Sequence, residues 1–296
     1  MRTVVLPLIL GLVCVLLWLA VLVRANSAAP GSGVGVVEIA GSSSAAPLLE
    51  ELAQRYMRRE GSASIRVNGT GSTDGIRAAA AGTVDFGMSS RTLREDEQQG
   101  LSVVQLAIDP VTVIVHPDNP VRSLSLAEIR AVYRGEIDTW SQLTVSAGAA
   151  APVAAPGGTP SNRTPQRSRI VVVSREPGSG TRGAFETALD FRDQLGLGAI
   201  ELDGSAAVRA AVARNPAAIG YISSGFLRPE VAALEGAAFD GAALSQRDVS
   251  PLARPLLLIY REGSLSPAAR RFLAWLESPE GQLEIADIMH GGRTND

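Results

Sequence analysis

Ile170-Val171-Val172-Val173-Ser174-Arg175-Glu176-Pro177-Gly178-Ser179-Gly180-Thr181-Arg182 carries a β-branched run into a Gly/Ser turn and on into the apolar-periodic segment from Gly183 to Leu189. The order is that of a buried strand, a tight turn and the start of a helix. Gly178 and Gly180 let the backbone turn sharply and come close to a ligand. The amides of Ser179, Gly180 and Thr181 then stand at the helix opening, where they lack intrahelical acceptors and the helix dipole adds partial positive charge. Such a start holds a phosphate-like oxyanion without a metal. Arg175, just before the turn, offers a bidentate, charge-assisted contact. Taken alone, the same residues also read as an ordinary turn with a Ser/Thr cap.

Two further turns of this kind precede it. Val36 to Ala40 reads as a strand, followed by Gly41-Ser42-Ser43-Ser44-Ala45-Ala46-Pro47 and the helical spacing of Leu48, Leu49, Leu52, Ala53 and Tyr56. Ile65-Arg66-Val67 leads through Asn68-Gly69-Thr70-Gly71-Ser72-Thr73-Asp74-Gly75 into the Ala-rich segment Ile76 to Ala81. Three strand-turn-helix starts rich in hydroxyls, two with closely spaced glycines and one beside an Arg, point to convergence on one small anion.

Composition narrows the function classes. With 296 residues, 46% of them hydrophobic and 19% charged, the chain can bury a proper core and is long enough for two modest domains. A net charge of −3, 4% aromatics and no basic cluster interleaved with aromatics argue against nucleic acid as a partner. The two histidines, His116 and His290, lie far apart and the single cysteine, Cys14, sits in the N-terminal apolar run, so no metal site, disulfide or cofactor is expected. That run, Val4 to Val23, has the length of a membrane span, and Arg24-Ala25-Asn26-Ser27-Ala28-Ala29-Pro30 follows it. Residues 1–30 therefore read as a membrane anchor or a signal peptide with a short linker. The length and Arg24 favour the uncleaved anchor. Either way the folded part is expected outside the cytoplasmic membrane.

Beyond the anchor, strands and helices alternate. Val36 to Ala40, Ile65 to Val67, Val84 to Met88, Val103 to Ala107 and Val111 to Val115 are strand-like, and Leu48 to Arg59 and Asp74 to Ala81 are helical. This is an α/β pattern with a largely parallel sheet. Leu126 to Tyr133 reads as a short helix, and Trp140 as a core anchor. Residues 146–168, rich in Ala, Pro, Gly and Thr, read as a disordered insertion within one α/β unit. Ala206 to Asn215 is helical, Ile219 to Ile222 and Pro255 to Tyr260 are strands, and Pro267 to Glu277 and Pro279 to Met289 close the chain as helices with Pro near the first turn.

The stretches Gly41 to Leu48, Gly69 to Ser72, Val84-Asp85-Phe86-Gly87-Met88-Ser89-Ser90-Arg91 and Arg175 to Arg182 follow one another as in phosphate-binding proteins of the PstS type, which the chain resembles from about Val34 to Met289. Ile129 to Trp140, Ala218 to Ile222 and Ser278 to Gln282 fit the same pattern. The resemblance implies a two-lobed type II periplasmic-binding-protein fold with its ligand cleft between the lobes. Residues 34–108 plus 254–296 would form lobe 1 and 109–253 lobe 2, joined by crossings near Asp109-Pro110 and Ser250 to Arg254. It also implies roles. Ser43 would give its hydroxyl, Ser44 its amide and Ser72 both, while Arg175, Ser179, Gly180 and Thr181 would hold the ligand from lobe 2. The implied protein is a monomeric extracytoplasmic solute-binding protein that passes phosphate, or a similar tetrahedral oxyanion, to the membrane subunits of an ABC importer.

One position departs from the family's best-known pattern. Ser90 stands where an Asp accepts the proton of hydrogen phosphate and repels fully ionised oxyanions. A hydroxyl can still accept that hydrogen bond, but it brings no repulsive charge. Arg91 either adds positive charge or pairs with Glu95 or Asp96, and Asp74 is either a substitute acceptor or a first-turn helix acid. A membrane-tethered oxyanion sensor or scaffold is an alternative function. A phosphate-ester hydrolase using Ser43 or Ser179 is less well supported, because no Gly-x-Ser-x-Gly elbow or ligand-spaced His/Asp cluster accompanies either serine.

Overall fold

The computed structural model describes residues 35–61, 63–144, 168–234 and 250–291. The expected anchor and linker over residues 1–30 lie outside the described residues, as does the expected insertion apart from Ser168. In chain order the elements are β1 (Gly35–Gly41), α1 (Ala46–Glu60), β2 (Ala63–Gly69), α2 (Ser72–Ala81), β3 (Phe86–Ser89), β4 (Leu101–Val115), α3 (Leu126–Tyr133) and α4 (Trp140–Thr144). They continue as β5 (Val171–Arg175), α5 (Gly180–Ala188), β6 (Ile200–Leu202), α6 (Gly204–Val212), β7 (Ala218–Ser223), β8 (Ala232–Ala233), β9 (Ala253–Arg261), α7 (Pro267–Glu277) and α8 (Pro279–Gly291).

The strands run in the order β2-β1-β3-β9-β4-β7-β5-β6, with β8 beside β4. β1 pairs in parallel with β2 and β3, and β5 in parallel with β6 and β7. The strands that return from elsewhere, β9 and β4, pair antiparallel with their neighbours. The sheet is therefore mixed where a largely parallel one was expected: local strand-helix-strand units are parallel, and long-range returns are not.

Two groups of cores lie on either side of the β4 crossing. In the first lobe the periodic residues Leu49, Leu52 and Tyr56 of α1 pack with Ile39, Phe86 and Met88 of the sheet and Phe272 and Leu276 of α7. The Tyr56 ring meets Phe272 edge-on at 5.1 Å, a geometry favoured by the ring quadrupoles. In the second lobe Tyr133, Trp140, Phe185, Phe191 and Tyr221 form the centre of the core. Trp140 is the anchor expected of it, fully buried with its indole Nε1 donating to the Ala217 carbonyl at 3.0 Å.

β4 is the largest difference from expectation. The sequence suggests two strands interrupted at Asp109-Pro110, but the structure has one. Leu101 to Pro110 pairs with β9 and Val111 to Val115 pairs with β7. Pro110 is the last residue in register with β9, opposite Ala253, so its missing amide falls where β4 changes partner and breaks neither ladder. The Val111 amide then donates to the Leu252 carbonyl at 3.1 Å.

Candidate functional site

The hydroxyl-rich turns follow the carboxyl ends of β1, β2, β3 and β5, the place where open α/β sheets bind ligands. Neither α1 nor α2 has a side-chain cap. Ser42 Oγ accepts from the Ser44 and Ala45 amides at 3.3 Å each just before α1, whereas the Ser43, Ser44 and Ser72 hydroxyls make their contacts outside their own helices. Gly71, the N-cap of α2, has φ of 99°, a conformation that favours glycine and that turns the chain so that Ser72 is buried. Ser72 Oγ accepts from the Ser90 amide at 3.1 Å and lies 3.4 Å from Ser90 Oγ, so these two turns form one surface.

The second lobe faces it with Arg175, the last residue of β5. Its guanidinium is almost fully buried, donating through Nη2 to Ser43 Oγ at 3.0 Å and through Nη1 to Thr181 Oγ1 and Ser205 Oγ at 3.3 Å each. Both oxygens of Glu176 accept from it at 2.7 Å, which fixes the plane of the fork. The Tyr221 hydroxyl accepts from the Arg175 amide and shares a 2.8 Å hydrogen bond with Ser174, tying this strand end to the core. Burial pushes the Tyr221 phenol up to about 12, so it stays protonated.

The two faces touch. Ser44 Oγ and Thr181 Oγ1 share a hydrogen bond at 2.9 Å, and the Thr73 amide donates to the Gly178 carbonyl at 3.1 Å. A Cβ added at Gly180 would stand 2.1 Å from Ser72 Oγ and 2.6 Å from Ser90 Oγ, so only glycine allows this approach. Beside the contact lies a cavity of about 590 Å³, lined among others by Thr73, Arg91, Gly178, Ser179, Arg182 and Arg254.

Ser43, Ser44, Ser72, Ser90, Arg175, Gly180 and Thr181 are thus brought together. Ser179 is adjacent but engaged in its own turn. Its amide donates to the Glu176 carbonyl, and its hydroxyl caps α5 by accepting from the Arg182 amide. The Ser44 amide likewise makes a long bond, 3.3 Å, to Ser42 Oγ. The amides of Gly180 and Thr181 stand in the first turn of α5, where the helix itself supplies no acceptor.

The acidic partner of Arg91 is Glu97, not Glu95 or Asp96. The pair is bidentate at 2.7 and 2.8 Å, and Arg91 holds the Glu97 carboxyl below the usual carboxylate range. Glu97 is selected because its carboxylate also reaches back to the Arg94 amide at 2.9 Å, closing a 3₁₀ turn. Asp74 is exposed in the first turn of α2, 3.9 Å from Arg77. His116 follows β4, and its Nδ1 accepts from the Asp118 amide. Among the described residues no cluster of three or more His, Cys, Asp or Glu side chains is grouped as a metal site.

Sequence reasoning missed Glu176, Ser205, Asp109 and Arg254. Glu176, next to Arg175, was open to a charge-pairing reading. Ser205 is placed by tertiary contacts and leaves no local signal, and Asp109 and Arg254 were expected at the lobe crossings but not as a pair beside the site.

A family model described as the PBP superfamily domain matches residues 26–280. The chain is 28% identical over 261 residues to the phosphate-binding protein PstS of Bacillus subtilis, covering 85% of this chain and 78% of that one. It is 34% identical to a Clostridium perfringens protein assigned as a phosphate ABC transporter substrate-binding protein and solved with bound phosphate, with a TM-score of 0.73 and coverage of 86% and 97%. An ABC-type phosphate transport receptor from Vibrio cholerae superposes with a TM-score of 0.64 at 28% identity, covering 85% and 97%.

Proposed function

The chain belongs to the PBP superfamily and is of the PstS type within it, and on that premise we propose that it captures inorganic phosphate, or a similar tetrahedral oxyanion, for an ABC importer. The oxyanion is held between the lobes. Ser43, Ser44, Ser72 and Ser90 contribute hydroxyls or amides from the first lobe. Arg175, the Gly180 and Thr181 amides and the Thr181 hydroxyl contribute from the second. Ser179 caps this helix start by accepting from the Arg182 amide and can donate its hydroxyl proton to the oxyanion from the same place.

The observation that carries the reading is the buried Arg175 guanidinium, which faces hydroxyls of both lobes at once. About six charge-assisted hydrogen bonds at roughly 1.5 kcal/mol each exceed the approximately 8 kcal/mol of a micromolar complex. The role is binding, not catalysis. Ser43 Oγ accepts from Arg175 and Ser179 Oγ caps a helix, whereas a nucleophile needs a base. The protein works outside the cytoplasmic membrane, in the periplasm or at the cell surface, tethered through residues 4–23. Among the described residues no helix is long and apolar enough to cross a membrane.

Calorimetry with phosphate, sulfate, arsenate and molybdate tests the proposal. Heat is expected with phosphate, and silence with all four anions would remove the oxyanion reading.

A further inference from the structure

Beneath the site lies a second buried guanidinium that the oxyanion cradle does not include. Arg254 stands on β9 opposite Asp109 of β4, at the crossing between the lobes, and is 2% exposed. Its Nη1 donates to the Ser90 carbonyl at 3.0 Å and its Nη2 to Asp109 Oδ2 at 2.8 Å. Its Nε is buried without an acceptor among the described residues, and the residue lines the cavity that Thr73, Gly178 and Ser179 also line.

The pair with Asp109 does not leave the two charges equal as seen from the site. Asp109 also accepts from the Ser223 and Ser224 hydroxyls at 2.8 Å each, so its charge is shared among three donors, whereas Arg254 keeps one N–H, Nε, without an acceptor among the described residues. Arg254 is one hydrogen bond from Ser90. Asp109 reaches the site one step further off, through Arg254 itself or through Ser223 and Ser205, the latter accepting from both the Ser223 amide and Arg175 Nη1. Both buried cations thus belong to one network joining the lobes.

We infer that Arg254 is a positioning residue for oxyanion binding, holding Ser90 in place and adding a second positive charge behind it. The inference rests on the oxyanion reading of the site. Burial pulls the Arg254 guanidinium down to about 10, against the attraction of Asp109, and the positive charge of Arg175 adds to the depression. Two like charges under one cleft repel each other, and an anion in that cleft relieves the repulsion. Replacing a buried ion pair by apolar groups of similar shape often leaves stability unchanged or higher, so stability alone does not account for this pair.

The test is phosphate calorimetry together with thermal melting on the wild-type protein, R254M, R254K and the double variant R254M/D109N. The double variant removes both charges and leaves no carboxylate buried alone, so it stays foldable if R254M does not. Expected is a loss of about tenfold in affinity for R254M, a smaller loss for R254K, and a double variant that melts near wild type yet keeps the affinity loss. A double variant that binds phosphate as wild type does, or equal losses for Lys and Met, would overturn the inference while the oxyanion reading stands. Wild-type protein that gives no heat with phosphate would overturn both.

Discussion

The two faces of the cleft are built from different materials. The second lobe brings a buried guanidinium gripped by Glu176 and the first turn of a helix, both fixed to an aromatic core through Tyr221. The first lobe brings turns of serine hydroxyls packed so closely that Gly180 meets Ser72 and Ser90 with no room for a methyl group. Each lobe pairs its nearby guanidiniums with carboxylates, Arg175 with Glu176 in the second and Arg91 with Glu97 and Arg254 with Asp109 in the first. What separates the lobes is placement: the Arg175 guanidinium hydrogen-bonds hydroxyls of both, Ser43 and Thr181, so the second lobe presents its charge at the contact and the first lobe presents chiefly shape.

The largest effect should come from the charged side. Arg175→Ala leaves the anion without its buried partner, and phosphate affinity is expected to fall on the order of a hundredfold with the melting transition retained; wild-type affinity by calorimetry would take Arg175 out of the site. Gly180→Ala tests shape alone. Its methyl group would wedge the faces apart and weaken phosphate binding by about tenfold or more, without altering charge. If the variant binds normally, the close approach at Gly180 plays no part in capture.

Ser90→Asp tests selectivity. A carboxylate there would accept the proton of hydrogen phosphate and repel sulfate, so competition titrations should show the phosphate-to-sulfate preference rising by roughly tenfold. An unchanged ratio would mean that discrimination lies elsewhere. The smallest effect concerns Glu97. Its carboxyl is lowered by Arg91 in the fold, so its contribution is present above the ordinary Glu range and is lost as the pH falls through the folded value. Glu97→Gln should blunt acid destabilisation by about 1 kcal/mol or less in denaturant titrations at several pH values. An acid limb identical to that of wild type would show the pair to be inert.

The parts of this molecule that were legible in its sequence are those encoded over a few residues. The spacing of Leu48, Leu49, Leu52, Ala53 and Tyr56 gives the buried face of α1, and the Gly/Ser turns mark where helices begin after strands. Seven of the eight expected site residues are brought together by those turns. What local pattern could not reveal is how groups are used once assembled. Ser179 is indistinguishable in sequence from any other hydroxyl of the turn, yet its amide donates within the turn and its hydroxyl accepts from the Arg182 amide while keeping its own proton to donate. Pro110 reads as a strand breaker because the change of partner along β4 is a tertiary fact. Asp109 and Arg254 are 145 residues apart, and neither is flanked by residues that announce the other.

That single strand through both lobes has a mechanical consequence. Two bodies joined by loose loops can swing through wide angles at little cost, but β4 and β9 stay paired, past one register shift between Gln105 and Ala107, up to the point where the lobes divide. Relative motion that preserves this ladder is confined to the two short crossings at its end, Pro110-Val111 and Leu252-Ala253, which are tied to each other by the Val111 amide donating to the Leu252 carbonyl at 3.1 Å. Two adjacent crossings laced by a backbone hydrogen bond leave the lobes one common line about which to turn, set beside the Asp109–Arg254 pair.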